Sequence, residues 1–92
     1  MSIYVGDIGT AIHIDMQENI TAATEIVLNI LKPNGEITNW TPTIYLNNYL
    51  RYLVQDGDLN VPGRYRIQPY MTLGEWTGLG QTVEINVEKE YE

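Results

Sequence analysis

Asp56-Gly57-Asp58-Leu59-Asn60 places oxygen-bearing side chains at alternate positions, as the first half of a calcium loop does. The second half does not follow. Val61 stands where the loop's glycine is needed, and Ile67 where a bidentate glutamate would complete the coordination. The same residues read better as a polar turn whose Asp and Asn side chains accept from nearby backbone amides. His13 is the only histidine. Imidazole catalysis needs a nucleophile or an orienting carboxylate beside it. The only serine is Ser2 and there is no cysteine. Asp15 shares a strand face with His13, which allows a surface His–Asp contact. One histidine without cysteine does not supply the usual ligands of a zinc site. No catalytic, metal-binding or cofactor-binding residue is assigned, and no cofactor is expected.

The other chemistry-bearing residues have plain structural readings. Twelve acidic side chains guarantee some close pairs, but glycosidase-type work needs a cleft that raises one pKa, and nothing singles out a pair. Arg64 and Arg66 share the outward face of one run, with Arg51 on a neighbouring one. They form either a basic stripe for an acidic partner or cross-strand ion pairs, and abundant acidic neighbours favour the pairs. Trp40, near Pro42, reads as a plug between sheets. Trp76, among Gly74, Gly78 and Gly80, reads equally as a cap over one end of the fold or as an anchor on another subunit.

The elements that would position these residues are strands. Ile12, Ile14 and Met16 alternate with Ala11, His13 and Asp15, and Ile20 then plugs the end of a core. Thr24 to Lys32 is a central strand, with Ile26, Leu28 and Ile30 on one face. Pro33-Asn34-Gly35 is a hairpin turn, with both Asn and Gly suited to positive φ. Glu36 to Trp40 returns as an edge strand ended by Pro42. Thr43 to Leu46 and Tyr49 to Val54 make a further pair around Asn47-Asn48. Val61-Pro62-Gly63 is a pivot into a strand with Tyr65, Ile67, Pro69 and Met71 inward. Leu73 to Gly80 reads as a loop, and Val83, Ile85 and Val87 mark the last strand. The fold expected is all-β, an immunoglobulin-like antiparallel β-sandwich of about seven strands forming a single domain over residues 1–92. Residues 1–9 form an N-terminal arm and residues 88–92 a flexible tail.

Composition narrows the function. The chain of 92 residues is 43% hydrophobic, with seven Tyr and no Phe, which suits one half-buried β domain. A net charge of −7 with five basic residues disfavours nucleic acid and anionic membrane surfaces. Residues 1–15 lack a basic segment followed by an apolar run, so no signal peptide is expected.

Four features occur in order: Ala22-Ala23-Thr24-Glu25-Ile26-Val27-Leu28; Lys32-Pro33-Asn34-Gly35; Asp58 through Tyr65; and Trp76-Thr77-Gly78-Leu79-Gly80. This order resembles the immunoglobulin-like domain of tailed-bacteriophage virion proteins, including the N-terminal domain of baseplate upper proteins. The resemblance spans about residues 5–87. It implies a non-enzymatic structural subunit located in the virion, packing on tail, baseplate or neck as an adaptor or stabilising protein, or on the capsid as a decoration protein. Its partners would be other phage structural proteins in a multi-copy assembly. Ile3, Tyr4 and Val5, as an arm pairing with a neighbour's sheet edge, and Trp76 with Gly78 are the expected interface residues. A carbohydrate-binding module, with a host-surface glycan as ligand, is the alternative from another class. The broken Asp56–Asn60 motif yields a direct expectation: millimolar calcium leaves the melting temperature unchanged, in the native chain and in Asp56→Ala. A calcium-dependent rise in calorimetry would show a bound ion.

Overall fold

Alternating apolar and polar residues build nine strands in the computed structural model, which describes residues 3–89. They are β1 (Ile3–Tyr4), β2 (Ala11–Asp15), β3 (Ala23–Leu31), β4 (Ile37–Trp40), β5 (Thr43–Tyr45), β6 (Tyr49–Leu53), β7 (Gly63–Leu73), β8 (Trp76–Leu79) and β9 (Val83–Glu88). One sheet runs β1-β9-β7-β3-β4, with β8 added to the far half of β7. The other runs β2-β6-β5. Leu28 and Ile30 of β3, Tyr65, Ile67 and Met71 of β7 and Val87 of β9 form one buried cluster with Ile12, Ile14 and Leu50 of the second sheet. Ile20, Val54 and Leu59 close it from the connecting segments. Removing these side chains from water is the main favourable term in folding.

Residues 56–67 turn the chain from the small sheet into β7. Tyr65 is fully buried, yet its hydroxyl is satisfied locally. It donates to the Val61 carbonyl at 2.7 Å and accepts from the Val61 amide at 3.2 Å. The ring thus anchors the core while its oxygen clamps the corner four residues upstream. Gly63 is required twice over. Its φ is +125°, and a Cβ there would lie 2.8 Å from Pro33 Cβ. Pro33 belongs to the β3–β4 turn, and beside it Lys32 Nζ donates to Asn60 Oδ1 at 2.9 Å and lies 3.4 Å from the Glu36 carboxylate. The two turn motifs, far apart in sequence, therefore pack together at one end of the molecule. In the β3–β4 turn Gly35 has positive φ and Asn34 does not. The Gly35 amide donates to the Lys32 carbonyl and the Lys32 amide to the Glu36 carbonyl, so a type I turn is followed by a glycine bulge.

Several expectations need correction. Nine strands form where about seven were expected. The loop expected over residues 73–80 is a hairpin, because Leu73 pairs with Trp76 around Gly74-Glu75. Gly74 has φ +62° at the first central position of this two-residue turn, as a type II′ turn requires. The sheets are not purely antiparallel. Ile3 and Tyr4 run parallel to Val87 and Glu88, which is possible because these strands are joined through the whole domain rather than by a hairpin. Ile3 and Tyr4 of the expected arm thus pair within the chain. Glu88 is the last residue of β9, while residues 90–92 of the expected tail lie outside the described residues. The turn expected at Asn47-Asn48 sits one residue earlier, with positive φ at Leu46 and Asn47.

Pro69 lies mid-strand in β7 without breaking the sheet. Its carbonyl accepts from the Gly80 amide at 2.7 Å, so its missing donor faces the gap where β8 ends and β9 begins. Two residues of β7, Gln68 and Pro69, oppose three on the other side, residues 80–82, which is a bulge. Gln68 Nε2 donates to the Gly80 carbonyl at 3.2 Å, supplying the bond that a proline nitrogen cannot make.

Tyr65 yields paired expectations. Tyr65→Ala removes ring and clamp together and costs about 3–5 kcal/mol, enough to unfold a marginal domain. Tyr65→Phe keeps the ring and strands the Val61 amide and carbonyl, at about 1–3 kcal/mol. Chemical denaturation of both variants checks the order, and a Phe variant as stable as the native chain would remove the clamp from the account.

Candidate functional site

The strands of the two sheets differ in length, and the longest of them ends at the first candidate surface. β7 has 11 residues, while β2 and β6 have five each. The molecule is 45 Å along its longest axis. β8 adds a third strand beside the far halves of β3 and β7 and joins β7 in a hairpin. Trp76 sits at its tip opposite Leu73 and is 48% exposed. Its ring lies along β8 over Gly78, where a Cβ would come within 2.9 Å of Trp76 Cζ2. Gly78 therefore makes room for the indole, and the structure brings these two expected residues into one feature.

Ile3, Tyr4 and Val5 lie at the opposite end. β1 pairs with the end of β9 beside Gly63, the first residue of β7, whereas Trp76 faces Leu73, the last. Along β7 this is a separation of about 33 Å. The Val5 amide donates to the Glu88 carbonyl at 3.0 Å, and its side chain is exposed. The five expected residues thus form two separate surfaces.

A second polar cluster occupies the outer face of the small sheet. β6 is central there, with His13 opposite Arg51, Thr43 opposite Arg51, and Tyr45 opposite Tyr49. The His13 and Tyr45 rings stack at 5.0 Å with their planes 5° apart, and Tyr49 meets each edge-on. The Arg51 guanidinium lies 5.6 Å from the Tyr45 ring centre. Asp15 does not turn to His13. Its Oδ1 accepts from the Gln17 amide at 2.8 Å and from Asn48 Nδ2 at 3.2 Å. Alternation puts Tyr49 and Arg51 on one face of β6, but the residues beside them depend on strand pairing. Arg51 also lies on a different sheet from Arg64 and Arg66, so no three-arginine stripe forms. Arg64 Nε and Arg66 Nε flank Glu84 at 3.4 and 3.6 Å. These exposed pairs contribute little to stability.

The acidic turn is engaged in the fold. Asp58 Oδ2 accepts from the Tyr52 hydroxyl at 2.5 Å and from the Gln55 amide at 2.7 Å. Tyr52 stacks on the buried Trp40 at 4.6 Å with planes 8° apart. Trp40 Nε1 has no hydrogen-bond acceptor. Among the described residues no three His, Asp or Glu side chains gather into a group that would hold a metal ion. Comparison with protein-family models, with curated proteins and with solved structures finds no match.

Burial holds the Tyr52 phenol well above its ordinary value, reinforced by the hydrogen bond to Asp58 and by the Asp58 charge. Burial also raises Tyr65. A phenol is neutral when protonated, so the folded state retains these protons more tightly than the unfolded chain. Their contribution is complete below the unfolded pKa of about 10 and is lost as pH rises above it. Melting temperature should hold from about pH 7 to about pH 9 and fall beyond about pH 10, with a shallower fall in Tyr52→Phe. Equal slopes for the two proteins would show that Tyr52 carries no such linkage.

Proposed function

We propose that this protein is an immunoglobulin-like, non-enzymatic structural subunit of a tailed-bacteriophage virion. It packs on the tail, baseplate or neck as an adaptor or stabilising protein. Strand pairing and the Tyr65 clamp support the immunoglobulin-like reading. The β2-β6-β5 sheet corresponds to strands B, E and D, and β9-β7-β3-β4 to G, F, C and C′. β1 sits parallel beside G. Tyr65 lies near the start of strand F, with its hydroxyl on backbone upstream, as in the tyrosine corner of such domains. The pattern lacks the inter-sheet disulfide, since the chain has no cysteine, and its buried tryptophan is on C′ rather than C.

Trp76 is the observation that carries the interface. A large aromatic, half exposed and seated on a glycine at the tip of the F–G hairpin, has the form of an anchor for a pocket on another subunit. The hairpin lies at the end where variable domains carry binding loops. Outer-face Tyr45 favours the second reading, a carbohydrate-binding module.

In purified particles, mass spectrometry should find the protein in a fixed multi-copy ratio. Trp76→Ala should lower its incorporation by more than about tenfold, the equivalent of one lost anchor at an interface. The melting temperature of that variant should stay near the native value, because the indole covers little core. Undiminished incorporation would remove Trp76 from the interface, and absence of the protein from particles would overturn the virion reading.

A further inference from the structure

Arg51 is a cation whose counter-charge is missing. Arg64, Arg66 and Lys32 each have a carboxylate within 4 Å. Among the described residues Arg51 has none, in a chain with twelve acidic residues. Its Nε is buried without a hydrogen-bond acceptor. Asp15, on the same face, is held by Gln17 and Asn48, and Asp58 by Tyr52 and Gln55. That Nε is closed to a ligand, whereas the terminal guanidinium nitrogens are not buried and can reach a carboxylate with a two-pronged bond.

The surroundings narrow what carries that carboxylate. Arg51 is opposite Thr43, the first residue of β5, so β6 has no β5 partner beyond it. The step leaves a recess of about 220 Å³ lined by Thr41, Thr43, Arg51, Tyr52, Leu53 and Gln55. The Thr43 hydroxyl donates to the Arg51 carbonyl at 3.4 Å and Gln55 Nε2 to the Leu53 carbonyl at 2.9 Å, so the recess offers the Thr41 hydroxyl and the oxygens of Thr43 and Gln55 beside the guanidinium, with Tyr45 on the other side of Arg51. The free edge is only Tyr52 and Leu53, bounded by the Asp56–Leu59 turn, which is too short for an added peptide strand. A compact ring rich in hydroxyls fits these features better than an extended chain.

We propose that this recess is a binding site for a carboxylated sugar, a uronic acid residue of an acidic polysaccharide. Arg51 takes its carboxylate, the Thr41 hydroxyl and the oxygens of Thr43 and Gln55 meet its hydroxyls, and Tyr45 holds the guanidinium from the side away from the recess. The site is separate from the Trp76 surface, so either stands if the other fails. The domain's net charge of −7 opposes an anionic ligand at long range, so affinity is modest and rests on contacts within the recess.

The test titrates the full chain with oligogalacturonate and, separately, with its methyl ester, following the Arg51 Nε–Hε resonance by NMR. The acid should shift that resonance and bind at least about tenfold more tightly than the ester, the discrimination expected from one charge-assisted pair. Arg51→Gln should lose most of the binding and Tyr45→Ala, which frees the guanidinium, should weaken it, while Arg64→Gln should bind as the native chain does. The acid–ester comparison needs no variant, so misfolding of either substitution leaves the test intact. Equal binding of acid and ester would overturn the proposal. So would a resonance that never shifts, or a stronger response to a glutamate-rich peptide.

Discussion

The structure depends on one crossing, where the chain leaves the small sheet after Val54 and enters the long central strand at Gly63. A sandwich requires such crossings, and each exposes backbone groups that must find partners. Here one side chain does both jobs. The ring of Tyr65 is wholly buried between the sheets, and its hydroxyl meets the amide and carbonyl of Val61. The β3–β4 turn closes over the same corner through Pro33 on Gly63 and Lys32 on Asn60. Both turns are therefore parts of one construction, and changing either shifts the other.

That construction sets where exposed chemistry can appear. The far end of β7 turns into β8, and that hairpin carries the half-exposed Trp76. The closed end carries β1, tied to β9. The outer face of the small sheet is left to His13, Tyr45, Tyr49 and Arg51. An apolar anchor on the larger sheet is thus separate from a polar, aromatic face on the smaller, and the two suit different kinds of partner.

Much of the fold is legible in residue alternation. Ile12 and Ile14, Leu28 and Ile30, and Tyr65, Ile67, Pro69 and Met71 all face the core as their two-residue period requires. Other features are not legible that way. The 73–80 hairpin was hidden because glycines that signal a loop also signal a tight turn. The parallel β1–β9 pair joins residues near opposite ends of the chain, and no local pattern encodes a partner so distant.

By itself the sequence determined that the chain is all-β, which faces of β2, β3, β7 and β9 turn inward, and that Pro62 and Gly63 form a corner, because these follow from local sterics and the burial of apolar side chains. It also determined that Asp56–Asn60 lacks the ligands of a calcium loop. Only the tertiary structure decided which residues stand side by side. Arg51 was one of three similar arginines in the sequence. Pairing placed it on another sheet from Arg64 and Arg66, beside Tyr45 and with no carboxylate of the described residues within 4 Å. Cross-strand neighbours are set by register between distant segments, and register follows from the whole core packing at once.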